Sequence, residues 1–217
     1  DTRLTIFRYP AGDSMVMQGV TTIIGGNCGA SLAPLASPQA IQTIQKWADL
    51  RDLNINWASV GEFLGQMDDH PIGTNFGMCV GLGTLKRGIL GDEVRELTKE
   101  EIARLTYLIE KSMDEGAFGL SYGLSYGHER ASPTDELVEL ARPVGAKNGV
   151  VKIHLRSEGR DLLAAVNEAI QIGRAAGVSV EISHLKAIGK KSWPLLEKAV
   201  GMIAHANESG VRVNFDI

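Results

Sequence analysis

Three side chains able to hold a soft metal recur at matching places in the sequence. In Val150-Val-Lys-Ile-His-Leu-Arg156 and Glu181-Ile-Ser-His-Leu-Lys186, a histidine closes each apolar run. An alternation of two puts His154 and Arg156 on one face of the first run, and His184 and Lys186 on one face of the second. The third group is Cys28 in Gly25-Gly-Asn-Cys-Gly29, where flanking glycines let the backbone turn sharply and expose the sulfur. One thiolate and two imidazoles make a zinc set. A lone histidine at a strand end is commonly a hydrogen-bonded core residue, and a lone cysteine a small buried apolar one. Repetition at equivalent positions in consecutive units favours the metal. Cys79, His70 and His205 read as structural or exposed.

Such residues need a scaffold that delivers strand ends to one mouth. Strands read at 117–123, 150–156, 178–186 and 211–217 start 33, 28 and 33 residues apart, the size of successive βα units. Between them, Ser132, Pro133 and Asp135 open a helix carrying Leu137, Leu140 and Ala141. Leu162, Leu163, Val166, Ala169 and Ile170 recur at helical spacing up to Gly177, and Ser192 caps a further helix that runs to Gly210. Upstream, strands are expected at 19–28 and 75–81, helical segments within 38–68, and a capping box at Thr98 and Glu101 ahead of a helix through Glu115. Six parallel strands leave a doubly wound sheet or a (β/α) barrel. The barrel is favoured because no glycine-rich phosphate fingerprint opens a helix. The expected fold is therefore α/β, a partial TIM-like barrel of about six parallel strands.

Composition narrows the partners. The 217 residues carry 22 Lys+Arg against 26 Asp+Glu, with 44% hydrophobic residues, which is ordinary globular composition. The net charge of −4, without a basic block, gives no reason to expect nucleic acid or membrane. No stretch reaches the roughly 18 apolar residues of a bilayer span, and no signal peptide is recognisable. Two cysteines without a zinc-knuckle or thioredoxin spacing suit a reducing, cytoplasmic setting. The 25 glycines, spread without a period, fit many tight connections. A chain opening on Asp1 and ending inside an apparent strand reads as excised from something longer.

Four ordered motifs carry a resemblance. Gln18-Gly-Val-Thr-Thr-Ile-Ile-Gly-Gly-Asn-Cys-Gly29 followed by Ser31-Leu-Ala-Pro34, then Gly116-Ala-Phe-Gly-Leu-Ser121, His154-Leu-Arg-Ser-Glu-Gly159 and Ile182-Ser-His-Leu-Lys186, resemble the N-acyl-D-amino-acid deacylases (D-aminoacylases) of the amidohydrolase superfamily. The resemblance runs from about residue 14 to the end. It implies a zinc-dependent barrel hydrolase that cleaves the amide of a small N-acyl-D-amino acid, releasing a carboxylate and a D-amino acid. Cys28, His154 and His184 match the family's metal ligands, and Tyr126 and Lys186 its substrate contacts. Arg156 and Glu158 would orient the surroundings of His154. Residues 1–217 would be the central part of one barrel domain, with the first and last barrel strands missing. The superfamily's H-x-H pair is absent from the sequence, and its general-base aspartate is expected beyond Ile217, so the chain alone is expected to be inactive. Leu82, and Gly127-His128 in place of prolines, depart from the family pattern. A cyclic-amide hydrolase of the dihydroorotase or hydantoinase kind, or a catalytically silent barrel piece, are the alternatives.

Overall fold

A computed structural model describes residues 5–42 and 54–217. Among these, six strands, β1 (Thr22–Gly25), β2 (Asn75–Gly81), β3 (Gly119–Gly123), β4 (Val150–His154), β5 (Ser179–Ile182) and β6 (Val213–Phe215), form one sheet in the order β1-β2-β3-β4-β5-β6. Every neighbouring pair is parallel, and the sheet curls into a half-barrel, the partial TIM-like barrel that the strand spacing called for. The helices are α1 (Thr5–Arg8), α2 (Asp13–Val16), α3 (Val60–Asp69), α4 (Leu82–Leu90), α5 (Lys99–Asp114), α6 (Gly127–Arg130), α7 (Thr134–Ala146), α8 (Leu162–Ala176) and α9 (Pro194–Glu208), with a 3-10 turn at Pro38–Ile41. The helical reading of 38–68 is met at its two ends. Its middle, 43–53, lies outside the described residues.

The alternation of two decides which face each strand side chain takes. In β4, Val151 and Ile153 are buried among the helices while Val150, Lys152 and His154 take the other face; β5 repeats this with Val180 and Ile182 against Ser179 and Glu181. Leu105 and Ile109 of α5, Leu137, Leu140 and Ala141 of α7, and Val166 and Ile170 of α8 complete the apolar layer. The Thr98–Glu101 capping box forms as expected, and Gly177 ends α8 at φ 65°. None of the helices described is long and apolar enough to cross a membrane.

Two caps differ from the sequence reading. Ser132 does not cap α7, because Pro133 occupies the N-cap, and its buried hydroxyl instead accepts from the Lys86 ammonium. Ser192 does not cap α9 either; Trp193 precedes Pro194, whose missing N–H suits the first helical position. Every strand but β2 is also shorter than expected, and two of the shortened ends bear on the site. β1 stops at Gly25 and β5 at Ile182, because Gly26 (φ 74°), Cys28 (φ 54°) and His184 (φ 43°) leave the extended region. Helix α4 follows β2 without a loop, taking Gly81 as its N-cap, and had no counterpart in the sequence reading.

Candidate metal centre

Three strand ends supply the site. The β4–β5 register pairs Ile153 with Ile182, and the Ser183 amide donates to the Ile153 carbonyl, so His184 stands one residue further along than His154. A left-handed backbone at His184 then turns its imidazole toward His154. Cys28 also adopts that region, between Gly26 and Gly29 (φ 75°). A left-handed conformation costs a non-glycine residue about 1–2 kcal/mol, so both must be held by their surroundings. His184 is held from β6. Asp216 Oδ1 accepts from the His184 amide, its carbonyl from the Leu185 amide (2.8 Å), and its own amide donates to the Ile182 carbonyl (3.1 Å).

The donor atoms converge. His154 Nδ1 lies 2.9 Å from His184 Nε2, which lies 3.6 Å from Cys28 Sγ. All three ligand atoms fall within 4.8 Å of one another, and no other cluster of three or more metal-binding side chains occurs among the described residues. Tetrahedral zinc with bonds of about 2.0 to 2.3 Å sets its ligand atoms about 3.3 to 3.6 Å apart, a span this set brackets. Burial is the main influence lowering the His154 pKa, with the nearby His184 and Lys186 acting in the same direction against Glu158. A neutral imidazole is the form that binds metal.

Around the donors, Glu158 Oε1 sits 3.1 Å from His184 Nδ1 and 2.6 Å from Lys186 Nζ. Lys186 Nζ is also 2.9 Å from His184 Nδ1. Both cannot bond that nitrogen at once. If Nε2 presents its lone pair to a metal, Nδ1 carries the proton and donates it to Glu158, while Lys186 donates to Glu158 and to the His184 carbonyl (3.0 Å). Tyr126 Oη lies 3.5 Å from His154 Nδ1, with the rings 4.8 Å apart, which brings a phenol to the same point.

Cys28, His154, His184, Tyr126, Lys186 and Glu158 are thus together, with Glu158 in the surroundings of His154 and its direct contact made to His184. Arg156 is not with them. The alternation ends with β4 at His154, and the Arg156 guanidinium turns outward to Glu168 (2.9 Å) and to the carbonyls of Arg130 and Ser132. His70 and His205 are exposed, and Cys79 is fully buried. Sequence reasoning missed Asp216 and the buried Glu129. Asp216 had a signal, an acid at the C-terminal end of a parallel strand. Glu129 had none beyond its place in a loop that departs from the resembled family.

No family model matches the sequence. The chain is 35% identical over 195 residues to a D-aminoacylase of Alcaligenes xylosoxydans xylosoxydans, covering 85% of this chain and 39% of the relative. An N-acyl-D-aspartate deacylase of the same organism is 32% identical over 202 residues, covering 93% and 40%. Among solved structures, the N-acyl-D-glutamate deacylase of Bordetella bronchiseptica, in complex with zinc and a phosphonate mimic of the tetrahedral intermediate, superposes with a TM-score of 0.89 at 28% identity, covering 99% of this chain and 45% of that one. The chain therefore spans about two-fifths of the length of the curated relatives it matches.

Proposed function

This chain is homologous to N-acyl-D-amino-acid deacylases of the amidohydrolase superfamily, and from that premise we propose that it is the central part of a zinc-dependent hydrolase of N-acyl-D-amino acids. The observation that carries the reading is the convergence of Cys28 Sγ, His154 Nδ1 and His184 Nε2 at the ends of three parallel strands. Those three residues would hold the ion. Zinc, when bound, supplies Lewis acidity and brings the pKa of water toward neutrality.

The remaining steps belong to the chain's own side chains. Glu158 keeps the proton on His184 Nδ1 and so fixes the ring's orientation. Lys186, half-exposed beside that carboxylate, binds an oxygen of the substrate by a charge-assisted hydrogen bond. Tyr126 Oη donates to the amide carbonyl oxygen as negative charge develops there. The product pair is a carboxylate and a D-amino acid. Cys28 at the centre of the site and the buried Cys79 are the chain's two cysteines, a number that fits a reducing compartment, which we propose is the cytoplasm.

Turnover is expected of a protein that carries further barrel strands, and not of the 217 residues alone, which contain no H-x-H pair. The test is metal analysis together with release of amine from N-acetyl-D-amino acids and N-acetyl-L-amino acids, and ring opening of hydantoins to N-carbamoyl amino acids. Zinc binding by the chain, without turnover, and D-selective amide hydrolysis by the longer protein support the proposal. Preference for hydantoins would instead support a cyclic-amide hydrolase. Absence of both zinc binding and hydrolysis would leave a silent barrel.

A further inference from the structure

Among the described residues, Glu129 is a buried carboxylate at the mouth to which the proposed chemistry gives no role. Its side chain is sequestered at 2% exposure on the short helix α6, directly after Tyr126. Oε2 accepts from the Gly123 amide at 2.7 Å, at the end of β3. Oε1 lies against two more glycines. A Cβ added to Gly29 would land inside the carboxylate, and one added to Gly83 would come within 2.7 Å of it. A Cβ on Gly123 would in turn meet the Cys28 carbonyl and the Tyr126 ring, each at 2.5 Å. Three segments thus close on one carboxylate, and each lacks a side chain where it does so.

The charge has a physical host. Gly83 is the second residue of α4, so the carboxylate lies beside a helix N-terminus, whose dipole and outward-facing first-turn amides favour an anion. The same packing boxes in the Cys28–Gly29 turn. The Gly29 amide donates to Ser121 Oγ at 3.1 Å, and its carbonyl accepts from the Thr84 amide at 3.1 Å. Cys28 is held there at φ 54°, a conformation it would leave if the walls receded.

We infer that Glu129 is a positioning residue, a carboxylate clamp that ties the Tyr126 helix and the end of β3 to the Cys28 turn and so fixes where the thiol points. The inference rests on the metal-site reading only for its consequence, since the clamp itself exists without an ion. Through it, the thiol on the metal side and the phenol on the substrate side keep their separation.

The test compares the wild-type chain with Glu129→Ala, Glu129→Asp and Glu129→Gln, and uses Cys28→Ser as the blank. One readout is the rate of alkylation of Cys28 by iodoacetamide in the metal-free chain, where the fully buried Cys79 contributes little. The other is the thiolate-to-cadmium absorption band during titration with cadmium. Glu129→Ala and Glu129→Asp, the latter one methylene too short, are expected to weaken cadmium binding about 10- to 100-fold and to change the alkylation rate at least about tenfold. Glu129→Gln keeps an oxygen for the Gly123 amide and should stay within about threefold of wild type. If Glu129→Ala fails to fold by near-ultraviolet circular dichroism, the Asp and Gln variants decide. Unchanged alkylation and cadmium binding in the Ala or Asp variant overturn the clamp. A wild-type chain without the cadmium band overturns the metal reading instead, and the alkylation rates alone then judge Glu129.

Discussion

Lys86 and Glu136 offer the sharpest stability prediction. The Lys86 ammonium is fully buried and uses all three of its protons: 2.9 Å to Glu136 Oε1, 2.8 Å to Ser132 Oγ and 3.2 Å to the Arg95 carbonyl. Glu136 Oε2 accepts from the Leu97 amide at 2.8 Å. The pair joins α4, whose first turn packs on the Cys28–Gly29 turn, to α7. Lys86→Met removes the cation and leaves a buried carboxylate with an amide in place of an ion. Stranding one member of a buried pair costs about 3–5 kcal/mol, which lowers the folding equilibrium constant by about two to three and a half powers of ten. With a urea dependence of about 2 kcal/mol per molar, the denaturation midpoint should fall by about 1.5–2.5 M. Glu136→Leu should do comparable harm. Lys86→Met with Glu136→Leu removes both charges, and should recover to within about 1–2 kcal/mol of the parent because neither is then stranded. Urea denaturation of the four proteins, followed by tryptophan fluorescence and far-ultraviolet circular dichroism, measures all of this. Single variants that each lose under about 1 kcal/mol, or a double variant as weak as the two losses added, would refute the reasoning.

Three further outcomes are expected. Cys28→Ser and His184→Ala should each lower zinc affinity by at least about tenfold in competition with a chromophoric chelator, since each removes or hardens one of three donors. Lys186→Ala should leave zinc affinity within about threefold while slowing amide hydrolysis by the longer enzyme at least about tenfold; equal losses of both would place Lys186 in the metal site alone. Burial, reinforced by Asp216 and opposed by Lys152, raises the Glu181 pKa above its ordinary value. The folded chain therefore keeps a proton there that the unfolded chain releases, so stability falls as pH rises from the ordinary carboxylate range through the raised pKa. Glu181→Gln should raise the melting temperature at pH 7, with an advantage that shrinks toward pH 4; an advantage independent of pH would contradict this.

Much of the architecture was legible because strands and helices alternate with a nearly constant stride. Val151 and Ile153 against Lys152 and His154 announce a strand by period alone, and Gly177 announces the end of a helix. The metal-binding trio was legible for the same reason, since His154 and His184 close equivalent runs. What stayed hidden depends on contacts between segments distant in sequence. The period of two could not tell that Arg156 lies past the strand and turns to Glu168, or that Ser132 surrenders its capping role to Lys86, 46 residues away. Nor could it show that Glu158 contacts the His184 ring directly. Helix α4 escaped because Gly83 and Gly88 are poor helix formers in so short a segment, whereas in the fold Gly81, Gly83 and Gly88 meet neighbouring segments where a Cβ would crowd.

The order of the strands has a consequence for how the chain is tied together. Chain order and sheet order coincide, so each ladder joins segments close in sequence: Val150 pairs with Ser179, and Val180 with Val213. Cys28 and His184 are instead 156 residues apart and meet across the arc of the sheet. Loop-closure entropy rises by about 0.6 kcal/mol for each doubling of length, so a bridge between them closes a loop more than two doublings longer than a neighbouring ladder does, worth about 1.4 kcal/mol more. An ion shared by Cys28 and His184 would act as a long-range cross-link, restraining the unfolded chain as well as organising the folded one. Its removal should then loosen the connection between the first strand and the fifth before it disturbs any single βα unit.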